Sequence, residues 1–158
     1  MARIQARRLP VPAPPVRARH ETIYTYDGDG NLLTERRVVG TLDVGSGDDV
    51  VTTYEYYDGS GDEPAGALKK ITDALNVVTH YFYNALGLVT SVVYAEGTAV
   101  EGTVAYDYDA DENLISTIDE LGRETTYDYD LLGRMLRRCW GVAILRIPRI
   151  SCECTLAH

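Results

Sequence analysis

Alternation sets the pattern of this chain. Five segments place tyrosines two residues apart: Tyr24/Tyr26, Tyr54/Tyr56, Tyr81/Tyr83, Tyr106/Tyr108 and Tyr127/Tyr129. Successive strand residues point to opposite faces, so each pair puts both rings on one face. The neighbouring positions are rich in Thr and Val, which suit a pleated, half-buried surface. No segment sustains apolar residues at helical spacing. The pattern therefore predicts strands and no long helix.

Turn residues punctuate these strands. Asp27, Asn84, Asp109 and Asp130 follow the tyrosine pairs directly, while Tyr57 intervenes before Asp58. Three residues on stands Gly30, Gly87 or Gly133, with Glu112 in that place in the fourth copy; Leu32, Val89, Leu114 and Met135 come two residues later. An Asp or Asn side chain bonds its own downstream backbone, and Gly allows positive φ, so each unit reads as strand, turn, strand. A second half-motif links the units. Its clean form is Asp119-Glu-Leu-Gly122-Arg-Glu-Thr125 and a weaker one is Asp73-Ala-Leu-Asn76-Val-Val-Thr79. The tyrosine pairs start 30, 27, 25 and 21 residues apart, and the longer spacings carry Gly- and acid-rich insertions at 45–49, 59–66 and 96–102. Self-similarity at such a period marks a repeat architecture. One hairpin is marginal alone, so neighbouring repeats must pair to cover the tyrosine face.

Composition narrows the core. There are 12 Tyr but one Phe and one Trp in 158 residues. Tyr has an apolar body and a polar tip, which fits a half-wet sheet better than a dry core. Charge is uneven. Residues 1–20 hold five Arg and no acid, 21–133 hold 23 acids against five bases, and 134–158 hold five Arg and one acid. The acidic middle would repel nucleic acid, and the arginine ends lack aromatic interleaving, so no nucleic-acid partner is expected. No apolar stretch is long enough for a membrane span. The prolines at 10, 12, 14 and 15 fill the place of a signal peptide's apolar region, so no secretory signal is recognised.

Candidate chemistry is sparse. Asp27-x-Asp29-x-Asn31 and Asp107-x-Asp109-x-Asp111 begin like calcium loops, but the sixth and twelfth positions are Leu32 and Val38, and Glu112 and Ile118. Such a loop wants Gly and then Glu there. The acids are read as turn formers, and no metal site is assigned. Cys139, Cys152 and Cys154 with His158 do not make a paired zinc motif and read as thiols of a non-native tail. His80 is placed in a strand with no nucleophile marked near it, on the wet face. No nucleophile elbow, zinc helix motif or phosphate loop is present. No catalytic, cofactor or metal residue is assigned, and the chain is read as no enzyme.

The unit Tyr-x-Tyr-Asp-x-x-Gly-Arg-x-Leu, joined by Asp-x-x-Gly-x-x-Thr, resembles the YD repeat of the RHS/YD-repeat family. Its best match is Asp119 to Leu136, where Asp119, Gly122, Thr125, Tyr127, Tyr129, Asp130, Gly133, Arg134 and Leu136 fall at motif positions. That family includes bacterial RHS proteins, the C components of insecticidal toxin complexes and animal teneurins. The resemblance implies a long β-sheet that spirals into a hollow shell. In toxin members the shell encloses a C-terminal toxic domain. It also implies an extracellular or cell-surface parent, and carbohydrate has been suggested as a ligand. Two departures matter: about five repeats are too few to close a shell, and the Asp-Pro-x-Gly signature that ends toxin repeat cores is absent.

The expected architecture is all-β: consecutive hairpins forming an open, twisted antiparallel sheet. Residues 1–21 are expected to be a disordered basic segment and 22–136 the repeat region. Residues 137–158 are expected to be a poorly folded tail of a truncated or frame-shifted product. The expected partners are neighbouring YD repeats, or other copies through open strand edges, with carbohydrate as the alternative.

Overall fold

The computed structural model describes residues 21–38 and 49–141, and the backbone alone of 155–156. Ten strands of five to seven residues follow one another: β1 (Glu21–Tyr26), β2 (Leu32–Val38), β3 (Val50–Tyr56), β4 (Leu68–Thr72), β5 (Val78–Tyr83), β6 (Val89–Tyr94), β7 (Gly102–Tyr108), β8 (Leu114–Ile118), β9 (Glu124–Tyr129) and β10 (Met135–Gly141). A two-residue β11 (Thr155–Leu156) follows. Spatial order equals chain order, and each neighbouring pair is antiparallel. The expected all-β hairpin sheet is what forms: one open, uncurled layer, with no helix among the described residues.

Six turns share one geometry. In each, an Asp or Asn carboxyl or amide oxygen accepts the backbone N–H groups two and four residues on, at 2.8–3.0 Å: Asp27, Asp73, Asn84, Asp109, Asp119 and Asp130. The same residue's N–H donates to the carbonyl four residues on. The residue three positions on is left-handed: Gly30, Asn76, Gly87, Glu112, Gly122 and Gly133 have φ between 60° and 92°. This is a type I turn closed by a left-handed bulge residue, a common three-residue hairpin loop. Gly bears that conformation without steric cost and Asn bears it tolerably. Glu112 is the one acidic long side chain forced into it.

Bulges recur with the repeat. Each strand carrying a tyrosine pair loses one residue of register against the strand that follows it, always at the second tyrosine. Tyr26 faces Leu32, Tyr56 Leu68, Tyr83 Val89, Tyr108 Leu114 and Tyr129 Met135, leaving Leu33, Lys69, Thr90, Ile115 and Leu136 as the extra residues. The β4–β5 and β8–β9 hairpins keep unbroken register. A bulge bends its strand and re-aims a side chain.

A single layer buries little. Among the described residues the buried apolar side chains are Val38, Val92 and Cys139. β10 continues five residues past Leu136, to Gly141, pairing throughout with β9. Cys139, assigned to a non-native tail, is buried in that strand opposite Thr126. Cys152, Cys154, His158 and the basic residues 1–20 lie outside the described residues.

Candidate functional site

Pairing fixes the faces. Tyr24 faces Glu35, Glu35 faces Thr52, and Thr52 shares its face with Tyr54 and Tyr56. The same path runs on through Ile71, Thr79, Val92, Val104, Thr117 and Thr125, so all ten paired tyrosines lie on one side. Eight of them are half-buried; Tyr24 and Tyr26, on the edge strand β1, are 49% and 59% exposed.

The second tyrosine of each pair makes a bond that ties repeat to repeat. Tyr56 Oη donates to the Leu32 carbonyl, Tyr83 to Leu68, Tyr108 to Val89 and Tyr129 to Leu114, each at 2.9 Å. Each acceptor is the first residue of the strand before, and each already faces the second tyrosine of the previous repeat. Backbone pairing between repeats stops three residues short of the donor tyrosine, at Thr53, His80, Ala105 and Thr126. The ring fills the opening and its hydroxyl satisfies a carbonyl that the ladder no longer reaches. An unpaired carbonyl there would be costly if shut off from water. Burial pushes the Tyr83, Tyr108 and Tyr129 hydroxyls above their ordinary pKa range. Sequence alternation placed these tyrosines on one face; the spacing of 15 to 24 residues to the acceptor carries no local signal.

One cluster breaks the repeat. Tyr57, the extra tyrosine, meets His80, which stands between Thr79 and Tyr81 and so lies on the opposite face. Its hydroxyl donates to the Tyr81 carbonyl at 2.8 Å and stands 3.3 Å from His80 Nε2. His80 Nδ1 is 2.8 Å from Glu96 Oε1, and Lys70 Nζ donates to Glu96 Oε2 at 2.7 Å. Phe82 packs against the imidazole with centroids 4.1 Å apart, and Tyr83 meets Tyr57 edge-on at 6.2 Å. His80 is 8% exposed, so its expected place on a wet face is wrong. Phe82, Glu96 and Tyr57, the last from 23 residues away, close around it. The hydrogen bonds from Lys70 and then His80 hold the Glu96 carboxyl below its usual range.

The order Tyr–His–Glu has the outline of a nucleophile, base and orienting acid. Its hydrogen bonds argue against that chemistry. The single hydroxyl proton of Tyr57 goes to a carbonyl, not to the imidazole. Burial, with Glu63 adding to it, raises the Tyr57 pKa, the opposite of an activated nucleophile. The arrangement cross-links the turn after β3, β4, β5 and the loop after β6.

The acidic runs are occupied by turn chemistry. Asp27 Oδ2 and Asp109 Oδ2 accept the side-chain amides of Asn31 and Asn113, which also hold both carboxyls below their ordinary pKa. Among the described residues no three His, Cys, Asp or Glu side chains are grouped to hold a metal. A depression of about 480 Å³ lies beside Trp140, between Asp119 and Glu124. Arg123 at its wall is tied to Asp119 at 2.6 Å.

The RHS repeat family model matches residues 62–99 and 108–138. Solved structures share the fold. The crystal structure of TcdB2-TccC3 superposes with a TM-score of 0.59 at 14% identity, over 75% of this chain and 6% of that chain. That of TcdB2-TccC3-Cdc42 gives 0.57 at 14% identity, over 73% and 6%. This chain thus spans a small fraction of those it resembles. No curated protein matches its sequence. The two matched segments contain the β5–β6 hairpin, most of β9–β10 and three of the four tyrosine-to-carbonyl donors, Tyr83, Tyr108 and Tyr129; in these segments the chain is similar to RHS repeats.

Proposed function

We propose that this chain is a non-enzymatic structural segment: a stretch of β wall that, in longer relatives, is part of a shell around a C-terminal toxin or of a surface structure. The observation that carries this reading is the row of four tyrosine hydroxyls, each bonded to the strand before. Their chemistry is spent on joining repeats. The partners are therefore neighbouring repeats, and the parent is a secreted or cell-surface protein. Among the described residues no helix is long and apolar enough to cross a membrane.

The carbohydrate alternative needs open rings and free hydroxyls. Eight half-buried rings, four with committed hydroxyls, speak against it. A glycan array probed with the full chain separates the two. The structural reading expects no sugar retained, and Tyr108→Phe to lower the unfolding midpoint. Retention of a sugar that is lost on substituting Tyr81 or Tyr106 would replace it with the binding module.

A further inference from the structure

The tyrosine row has two open ends. Tyr26 is the second tyrosine of β1, the edge strand, and among the described residues it has no preceding carbonyl to bond. Met135 opens β10 and faces Tyr129, as Leu32, Leu68, Val89 and Leu114 face theirs, but no tyrosine of a following repeat reaches it among the described residues. Among the described residues, one end thus lacks an acceptor and the other lacks a donor.

Register makes the ends complementary in detail. In the four internal junctions, pairing starts two residues after the acceptor: Thr34, Lys70, Ser91 and Ser116. In β10 that place is Arg137. There β11 pairs, Arg137 with Leu156 and Arg138 with Thr155. β11 therefore sits in the register of the next repeat's first strand, over two residues where the internal junctions use three or four. On β1 the matching residues are Glu21, Thr22 and Ile23, ending three short of Tyr26.

We infer that the β1 edge is a docking surface for a second copy of this chain, added head to tail. Residues 21–23 of one copy pair with the outer edge of β10 in the next, displacing β11. Tyr26 Oη then donates to the Met135 carbonyl as the fifth bond of the row. This rests on the structural reading above and names its partner and register. A head-to-tail contact uses a different edge on each copy and leaves one edge free at each end of a dimer, so further copies add in series.

Sedimentation equilibrium of the full chain, with and without Tyr26→Phe, tests this. Average mass is expected to climb with concentration past the dimer. Tyr26→Phe is expected to weaken association about fivefold, the worth of one net hydrogen bond. Tyr129→Phe, an internal donor, is expected to lower the unfolding midpoint and leave association unchanged. A monomer at all concentrations, a mass that stops at the dimer, or equal association by Tyr26→Phe and wild type would overturn the inference. If Tyr129→Phe still lowers the midpoint in that case, the structural reading survives it.

Discussion

Two residue positions in each repeat carry most of its geometry. The left-handed turn position was legible: Gly three residues after Asp or Asn announces a positive φ. Its exception is informative. Glu112 holds φ 66° where Gly30, Gly87, Gly122 and Gly133 sit without strain. Glu112→Gly is expected to stabilise the sheet by about 0.5–1 kcal/mol, the usual cost of a left-handed side chain less the chain entropy of Gly. Urea unfolding would read this. Gly133→Ala, in the same conformation, should move the midpoint the other way. The other position is the second tyrosine. Alternation gave its face but not its bond, because the carbonyl it reaches is brought near only by pairing and by the bulge. His80 was misplaced for a similar reason: nothing near it in the chain announces Tyr57.

At the scale of the element, turns and bulges divide the work. The turns reverse the chain and fix register, and they were readable because their chemistry is local. The bulges were not, since the extra residues Leu33, Lys69, Thr90, Ile115 and Leu136 share no residue type. Arg137, Arg138, Cys139 and Trp140, beyond the expected end of the repeat region at Leu136, lack the tyrosine-pair signature; the partner β9 decides that they form a strand. Turn carboxylates set the acid limit. Asp27 and Asp109, chiefly through Asn31 and Asn113, and Asp119 and Asp130, chiefly through the N–H groups of Arg123 and Arg134, are held below their usual pKa. A lowered folded value gives stability that is present above the unfolded pKa, about 4, and lost as pH falls through the folded one. Thermal melts should therefore fall below about pH 4. Asp109→Asn, which keeps an acceptor oxygen as Asn84 does, should flatten that fall. An unchanged acid profile would show that the turns do not titrate with unfolding.

At the scale of the whole molecule, the described residues form a wall one sheet thick. Its interior is too thin to bury large side chains, and no described side chain is fully buried. Cohesion comes from strand pairing and from the tyrosine row, which makes the high Tyr content and the scarcity of Phe intelligible. Burial raises the hydroxyls of Tyr54, Tyr57, Tyr83, Tyr106, Tyr108 and Tyr129 above their ordinary pKa. A raised folded value gives stability that is complete below the unfolded pKa, about 10, and lost as pH rises through the folded one. Unfolding above about pH 10, in step with tyrosinate absorbance, is expected; tyrosinate forming while the sheet stays intact would count against buried hydroxyl donors. The central claim is that these hydroxyls join repeat to repeat, and urea unfolding of Tyr→Phe variants reaches it most directly. Tyr83→Phe, Tyr108→Phe and Tyr129→Phe should each cost about 1 kcal/mol, the net worth of one hydrogen bond, and the triple variant close to their sum. Tyr94→Phe, on an exposed ring outside the row, should cost nothing. Midpoints equal to wild type for all three row variants, or a loss at Tyr94 as large as theirs, would contradict the account.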